Sequence, residues 1–267
     1  MSRVHIGAVN YLNTRPLVYR LMELAPMCAL EFDLPSRLAD GLANGRYDVA
    51  LIPSIEYFRA PGYTVVSDAC IACRGPVLSV KLFSRVPVEE MRTLALDEGS
   101  RTSAALVQIL LAERHGVRPE LLALEIGRGL EDSPADAVLL IGDRAMHSPA
   151  GRFAAVWDLG DEWSRWTGLP FVFAMWVARP GSLPPGVEQA LGLARDLGVA
   201  HLAEIAAREA APLGLTVPQC LGYLRDNLHF TLGVRERRGL QLFYKLACQH
   251  GLAPPGLQLD AHQYQAV

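Results

Sequence analysis

Four short polar turns stand at the ends of apolar runs: Asn10 to Asn13 after "RVHIGAV", Pro53 to Glu56 after "VALIP", Ser100 to Ser103 after "TLALD", and Gly142 to Asp143 after "AVLLI". Each lies where a strand would hand over to a helix, so unpaired N–H groups and short hydroxyl or amide side chains could hold an anion. Ser79 lies in a further strand, "VLSVKLFS", on what reads as the first crossing between two lobes. Together these residues bring more neutral donors than charges, a combination suited to carboxylates. Taken singly, each has a plainer role. Ser100, Asn13 and Ser54 are good N-caps, Thr102 and Ser103 ordinary first-turn residues, and Glu56 and Asp143 solvated or ion-paired carboxylates. As general bases the two acids would need burial to raise their pKa.

Other chemistries lack a motif. The chain has no P-loop, GxGxxG turn, GxSxG elbow or HExxH pair, so any reaction is expected to run without a cofactor. Its seven His are dispersed, and no metal site is expected. Cys70 and Cys73 form one isolated CxxC among five cysteines, readable as packed thiols or as a redox or metal pair. Trp163, Trp166, Phe171, Phe173 and Trp176 could form core packing or a ring-stacking wall.

Composition narrows the class. With 267 residues, 51% hydrophobic and 20% charged, the chain can bury a core large enough for two lobes. The net charge of -3, with Arg scattered singly apart from Arg235, Arg237 and Arg238, suggests no nucleic-acid partner, and "GVRERRGL" reads as a solvated helix start. No apolar run approaches the roughly 18 residues of a membrane helix. The start, "MSRVHIGAV", lacks a secretory h-region, so a cytoplasmic location is expected.

To position the turns, the chain must first build strand–helix–strand units. "RVHIGAV", "ALEFDL" and "VALIP" read as strands around the helices "TRPLVYRLMEL" and "PSRLADGLANGRYD", a pattern that makes a parallel sheet. "YTVVSD", "ACIACR" and "VLSVKLFS" read as shorter strands. Alternation resumes with "TLALD", the helix "TSAALVQILLAERHG", "LALEIG" and "AVLLIG", followed by the long strand "FVFAMWVA". From Pro184 onward the chain reads as helical, with breaks near Gly198, Pro212 to Thr216 and Gly233. "DVALIPSIEY" and "DAVLLIGDRA" look equivalent, one in each lobe. The expected architecture is α/β: two lobes, each a mostly parallel sheet flanked by helices, joined by two crossover strands that form a hinge. Lobe 1 spans residues 1–85 and 180–267, lobe 2 residues 86–179. A ligand would lie between them, beyond the carboxyl ends of the strands.

"VNYLNTRPL", "DVALIPSIEY", "LALDEGSRTSAAL", "DAVLLIGDRA" and "WTGLPFVFAMW" occur here in one order, and that set closely resembles the chorismate dehydratase family of the futalosine route to menaquinone. The resemblance is firmest over residues 4 to 178; the C-terminal helices match only in character. It implies a type II periplasmic-binding-protein-like fold and cofactor-free removal of water from chorismate. By resemblance Asn13, in "YLN", is tied most closely to catalysis. Thr102 and Ser103 would bind carboxylate, with Ser54, Ser79, Ser100 and Asp143 as further substrate contacts. A sister family, the dihydroxynaphthoate synthases, has a basic His after the strand corresponding to "AVLLI", where this chain has Gly142 and Asp143. Two other readings remain: a non-catalytic carboxylate-binding protein, and the sister activity itself. Whether Arg15 or Arg101 faces the cleft is open.

Overall fold

The computed structural model describes residues 3–60, 62–147, 151–182, 185–257 and 259. Met1, Ser2 and Pro184, and nearly all of the tail after 257, lie outside them, as do the corresponding ends of the expected lobes.

In chain order the first part comprises β1 (Val4–Val9), α1 (Leu21–Leu24), β2 (Cys28–Asp33), α2 (Pro35–Ala43), β3 (Val49–Pro53), α3 (Ser54–Arg59) and β4 (Thr64–Cys73). Next come β5 (Val80–Ser84), β6 (Thr93–Asp97), α4 (Thr102–His115), β7 (Glu120–Leu124), β8 (Ala137–Ile141), β9 (Ala155–Asp158), α5 (Leu159–Thr167) and β10 (Phe171–Ala178). The last part holds α6 (Val187–Ala200), α7 (Leu202–Glu209), α8 (Val217–Gly222), a π-helical turn (Tyr223–Asn227), β11 (His229–Thr231) and α9 (Val234–Gln249).

Two mixed sheets result, one of six strands ordered β11-β4-β10-β3-β1-β2 and one of five ordered β7-β6-β8-β5-β9. The strand–helix–strand parts are parallel, as expected: β2 and β3 flank β1, and β7 and β8 flank β6. The strands nearest the crossings are antiparallel to their neighbours: β10 lies between β3 and β4, and β5 lies between β8 and β9. "Mostly parallel" therefore becomes mixed. The lobe boundaries move as well, because β5 falls in the second sheet and β10 in the first. The crossings are residues 74–79 and the stretch from α5 to β10. Pairing decided this: each of these strands is apolar enough to join either sheet, and only its partners determine which.

Local differences have visible causes. The expected first helix is a 3-10 turn (Leu12–Val18) followed by α1, divided at Arg20, whose φ is 54°. The two strands expected over 63–74 form one, β4. Pro35 takes the first position of α2, where its missing N–H costs nothing. The break foreseen at Gly198 falls at His201 instead. Gly198 stays helical because α6 lies directly on the 3-10 turn, where an added Cβ would sit 2.0 Å from the Pro16 carbonyl oxygen. That contact seats the C-terminal helices on the first sheet and backs the segment carrying Asn13.

The main core runs continuously through both lobes, and a smaller cluster around Phe83, Val138 and Leu140 packs separately in the five-stranded lobe. Trp163, Phe171 and Trp176 are fully buried in the main core, with Trp163 and Phe171 packed edge-on against Phe243 of α9. The aromatic group is thus packing, apart from Phe173, which reaches the cleft. Cys70 and Cys73 are free and buried, and burial pushes both thiols up, Cys73 to about 12, which disfavours the thiolate that redox or metal chemistry needs. Among the described residues no three His, Cys, Asp or Glu converge as a metal-binding group, and no helix is long and apolar enough to cross a membrane.

Candidate active site in the interlobe cleft

The carboxyl ends of β1, β3, β6 and β8 meet across a cleft with about 510 Å³ of free space, its open mouth included. Its polar lining is Tyr11, Asn13, Ser79, Ser100, Arg101, Thr102 and Ser103, and its apolar walls include Val9, Ile71, Ile141 and Phe173. Four of the turns singled out in the sequence thus converge: the first and the Pro53 end of the second come from the six-stranded lobe, and the other two from the five-stranded lobe.

The "DEGSRTS" turn is shaped by Asp97, the last residue of β6. Its carboxylate accepts from Gly99 N at 2.9 Å and is paired with Arg144, while its carbonyl accepts from Ser100 N at 2.9 Å. Ser100 is not the cap of α4. The cap position is Arg101, and no side chain caps the helix, so its first N–H groups remain unsatisfied from within. Ser100, Thr102 and Ser103 are buried at this end. Thr102 is partly committed already: its Oγ1 accepts from Ile55 N at 3.3 Å and lies 3.4 Å from Ser54 Oγ. Thr102→Val would leave the Ile55 N–H without an acceptor and is expected to cost about 1–3 kcal/mol of stability. Equilibrium urea unfolding reads this directly, and an unchanged midpoint would show that the tie carries no weight.

Asn13 lies inside the 3-10 turn rather than capping a helix; the preceding Tyr11 holds the cap position without a side-chain bond. The Asn13 Oδ1 accepts from Thr14 Oγ1 at 3.3 Å. Ser79 lies at the end of the first crossing, with its carbonyl accepting from Gly142 N and its hydroxyl from the Tyr223 hydroxyl, both at 2.9 Å.

Two expected contacts do not line the cavity. Ser54 is fully buried and donates to the Val172 carbonyl of β10 at 2.8 Å, which places it behind Thr102. Asp143 accepts from Leu12 N at 3.1 Å and so ties the lobes together; burial raises its pKa, partly offset by that N–H. Other ties are Ser36 N to the Gly99 carbonyl at 3.2 Å, and Arg101 to Glu56 at 3.1 Å and to Asp40 at 2.7 Å. The lobes are therefore closed on each other. Glu56 is neutralised by Arg101 and Arg59, and Arg15 turns away to Glu209. Arg101 borders the cavity with its charge paired.

Sequence reasoning passed over Tyr11, Asp97, Arg144 and Tyr223. Tyr11, two residues before Asn13, was within reach of the motif. Its phenol is pushed well up by burial and by the charge of Asp97, so it stays protonated. Asp97 and Arg144 meet only in the folded chain, and Tyr223 arrives from a segment with no motif.

Two mixed sheets joined by two crossings and closed over a cleft define a two-lobed α/β fold. Structures of this class match nearly the whole chain: an Archaeoglobus fulgidus protein (TM-score 0.72, 14% identity, 94% of this chain and 98% of that one) and the alkanesulfonate-binding protein of Xanthomonas axonopodis (TM-score 0.65, 14% identity, 95% of each). The periplasmic aliphatic sulphonate binding protein of Escherichia coli matches with a TM-score of 0.60 at 14% identity, over 100% of this chain and 96% of that one. The fold is thus the type II periplasmic-binding-protein fold. Within it, the chain belongs to the menaquinone biosynthesis family, whose model matches residues 4–249. A chorismate dehydratase of Thermus thermophilus is 34% identical over 89% of this chain and 93% of its own length, and one of Campylobacter jejuni 30% identical over 63% and 64%.

Proposed function

We propose that this chain is a chorismate dehydratase, a hydro-lyase of menaquinone biosynthesis that converts chorismate to 3-[(1-carboxyvinyl)oxy]benzoate and water. The observation that carries the reading is the 34% identity to the Thermus thermophilus dehydratase along 89% of the chain, both lobes included. The cleft supports it: chorismate carries two carboxylates, and the lining offers hydroxyls, an amide and the start of α4 to receive them.

The elimination removes a proton from one ring carbon and hydroxide from its neighbour, and the ring becomes aromatic. Asn13 is the group we assign to the negative charge that develops toward the ring carboxylate as the proton leaves, an amide dipole already in place and needing no reorganisation. Thr102 and Ser103 hold a carboxylate at the start of α4, with Ser79 and Ser100 as further contacts. Among the described residues the lining contains no carboxylate, imidazole or amine, and the Arg101 guanidinium is already paired. That lining favours the substrate's own side-chain carboxylate as the proton acceptor. Gly142 and Asp143, which follow the strand after which the sister family has a basic His, accord with the same mechanism. We place the reaction in the cytoplasm, a reducing compartment that suits five free cysteines.

Incubation of the purified protein with chorismate is expected to produce the aromatic enol ether, followed by its ultraviolet absorbance and by mass. Tight binding of chorismate with no product would overturn the dehydratase reading in favour of a carboxylate-binding protein.

A further inference from the structure

We infer that Tyr223 is a positioning residue for this reaction: it fixes the Ser79 hydroxyl so that the Ser79 proton points into the cleft. Tyr223 comes from the C-terminal helices, far from every motif that marks the site. It is 1% exposed, and its hydroxyl donates to Ser79 Oγ at 2.9 Å. A hydroxyl that accepts from one side must place its own hydrogen elsewhere, and the other side of Ser79 is the cavity. Asn13 is a second hydrogen-bonding neighbour of the same phenol. One buried group therefore touches polar residues on both the first crossing and the 3-10 turn.

The surrounding structure holds this arrangement from several directions. Tyr223 opens the π-helical turn, a rare backbone form that often marks functional sites. At the other end of that turn, Asn227 Nδ2 donates to the Pro76 carbonyl at 2.9 Å, so the turn grips the crossing that carries Ser79 at two points. Asp158 holds the two residues between those points, accepting from Val77 N at 2.9 Å and Leu78 N at 2.6 Å, and Leu78 has a φ of 62°. Such a conformation in a non-glycine residue persists only where its surroundings impose it. Burial also pushes the Tyr223 phenol well above its ordinary pKa, which keeps it a donor throughout the working pH range.

The proposal rests on the dehydratase reading for its readout, and a double-mutant cycle separates the two. Wild-type turnover of chorismate tests the reading alone. Tyr223→Phe keeps the ring and is expected to lower kcat/KM by about ten- to a hundredfold, the scale of a misplaced site group, with a melting temperature within a few degrees of wild type. In a Ser79→Ala background the same replacement is expected to cost at least fivefold less, because the group it orients is gone. A cost equal in both backgrounds, or none in the wild type, overturns the proposal. Should the wild type bind chorismate without turning it over, the same ratio is read from Kd values.

Discussion

Asn13→Ala is expected to lower the kcat for chorismate by about a hundred- to a thousandfold, the range seen when one preorganised donor to developing charge is removed. KM should change far less, because in the proposed binding mode the carboxylates are held chiefly by the opposite lobe at Ser100 to Ser103. Folding should survive. Asn13 is half-buried and caps no helix, and its recorded partners are the hydroxyls of Thr14 and Tyr223. Steady-state kinetics and a melting curve on the same preparation test both halves. Near-normal turnover would remove Asn13 from the mechanism, and loss of the fold would show that the 3-10 turn depends on its amide.

Gly142→Ala is expected to damage the cleft although it adds only one methyl group. Gly142 has φ 72° and ψ -162°, a region open to glycine and strained for any residue with a Cβ. An added Cβ would lie 2.6 Å from two carbons of the Tyr11 ring, which belongs to the opposite lobe. Backbone strain alone costs about 1–3 kcal/mol, and relief of the clash requires Tyr11 to move or the lobes to part. We expect kcat/KM to fall at least about tenfold, since 1.4 kcal/mol is a factor of ten, with a larger radius of gyration in small-angle scattering. Unchanged kinetics would mean that Tyr11 can turn aside freely and that closure does not depend on this contact.

Much of this protein was legible in its sequence. Period-two and period-3.6 patterning marked most of the strands and helices, polar turns at strand ends marked Asn13, Ser100, Thr102 and Ser103, and the expected crossing marked Ser79, all of which reach one cavity. These are local properties: an apolar run buries itself, and a turn after it leaves unpaired N–H groups, whatever the rest of the chain does. Ser54 and Asp143 met the same local criterion and yet do not line the cleft. Their side chains found partners far away in sequence, the Val172 carbonyl and Leu12 N, and no local pattern records such a choice. The assignment of β5 and β10 to their sheets, the pairing of Arg101 with Glu56 and Asp40, and the arrival of Tyr223 behind Ser79 are likewise decided by packing between segments up to 144 residues apart. The sequence by itself determined which turns could hold an anion. The tertiary structure decided which of them face the same space, because strand pairing and lobe closure determine which hydrogen bonds are already taken.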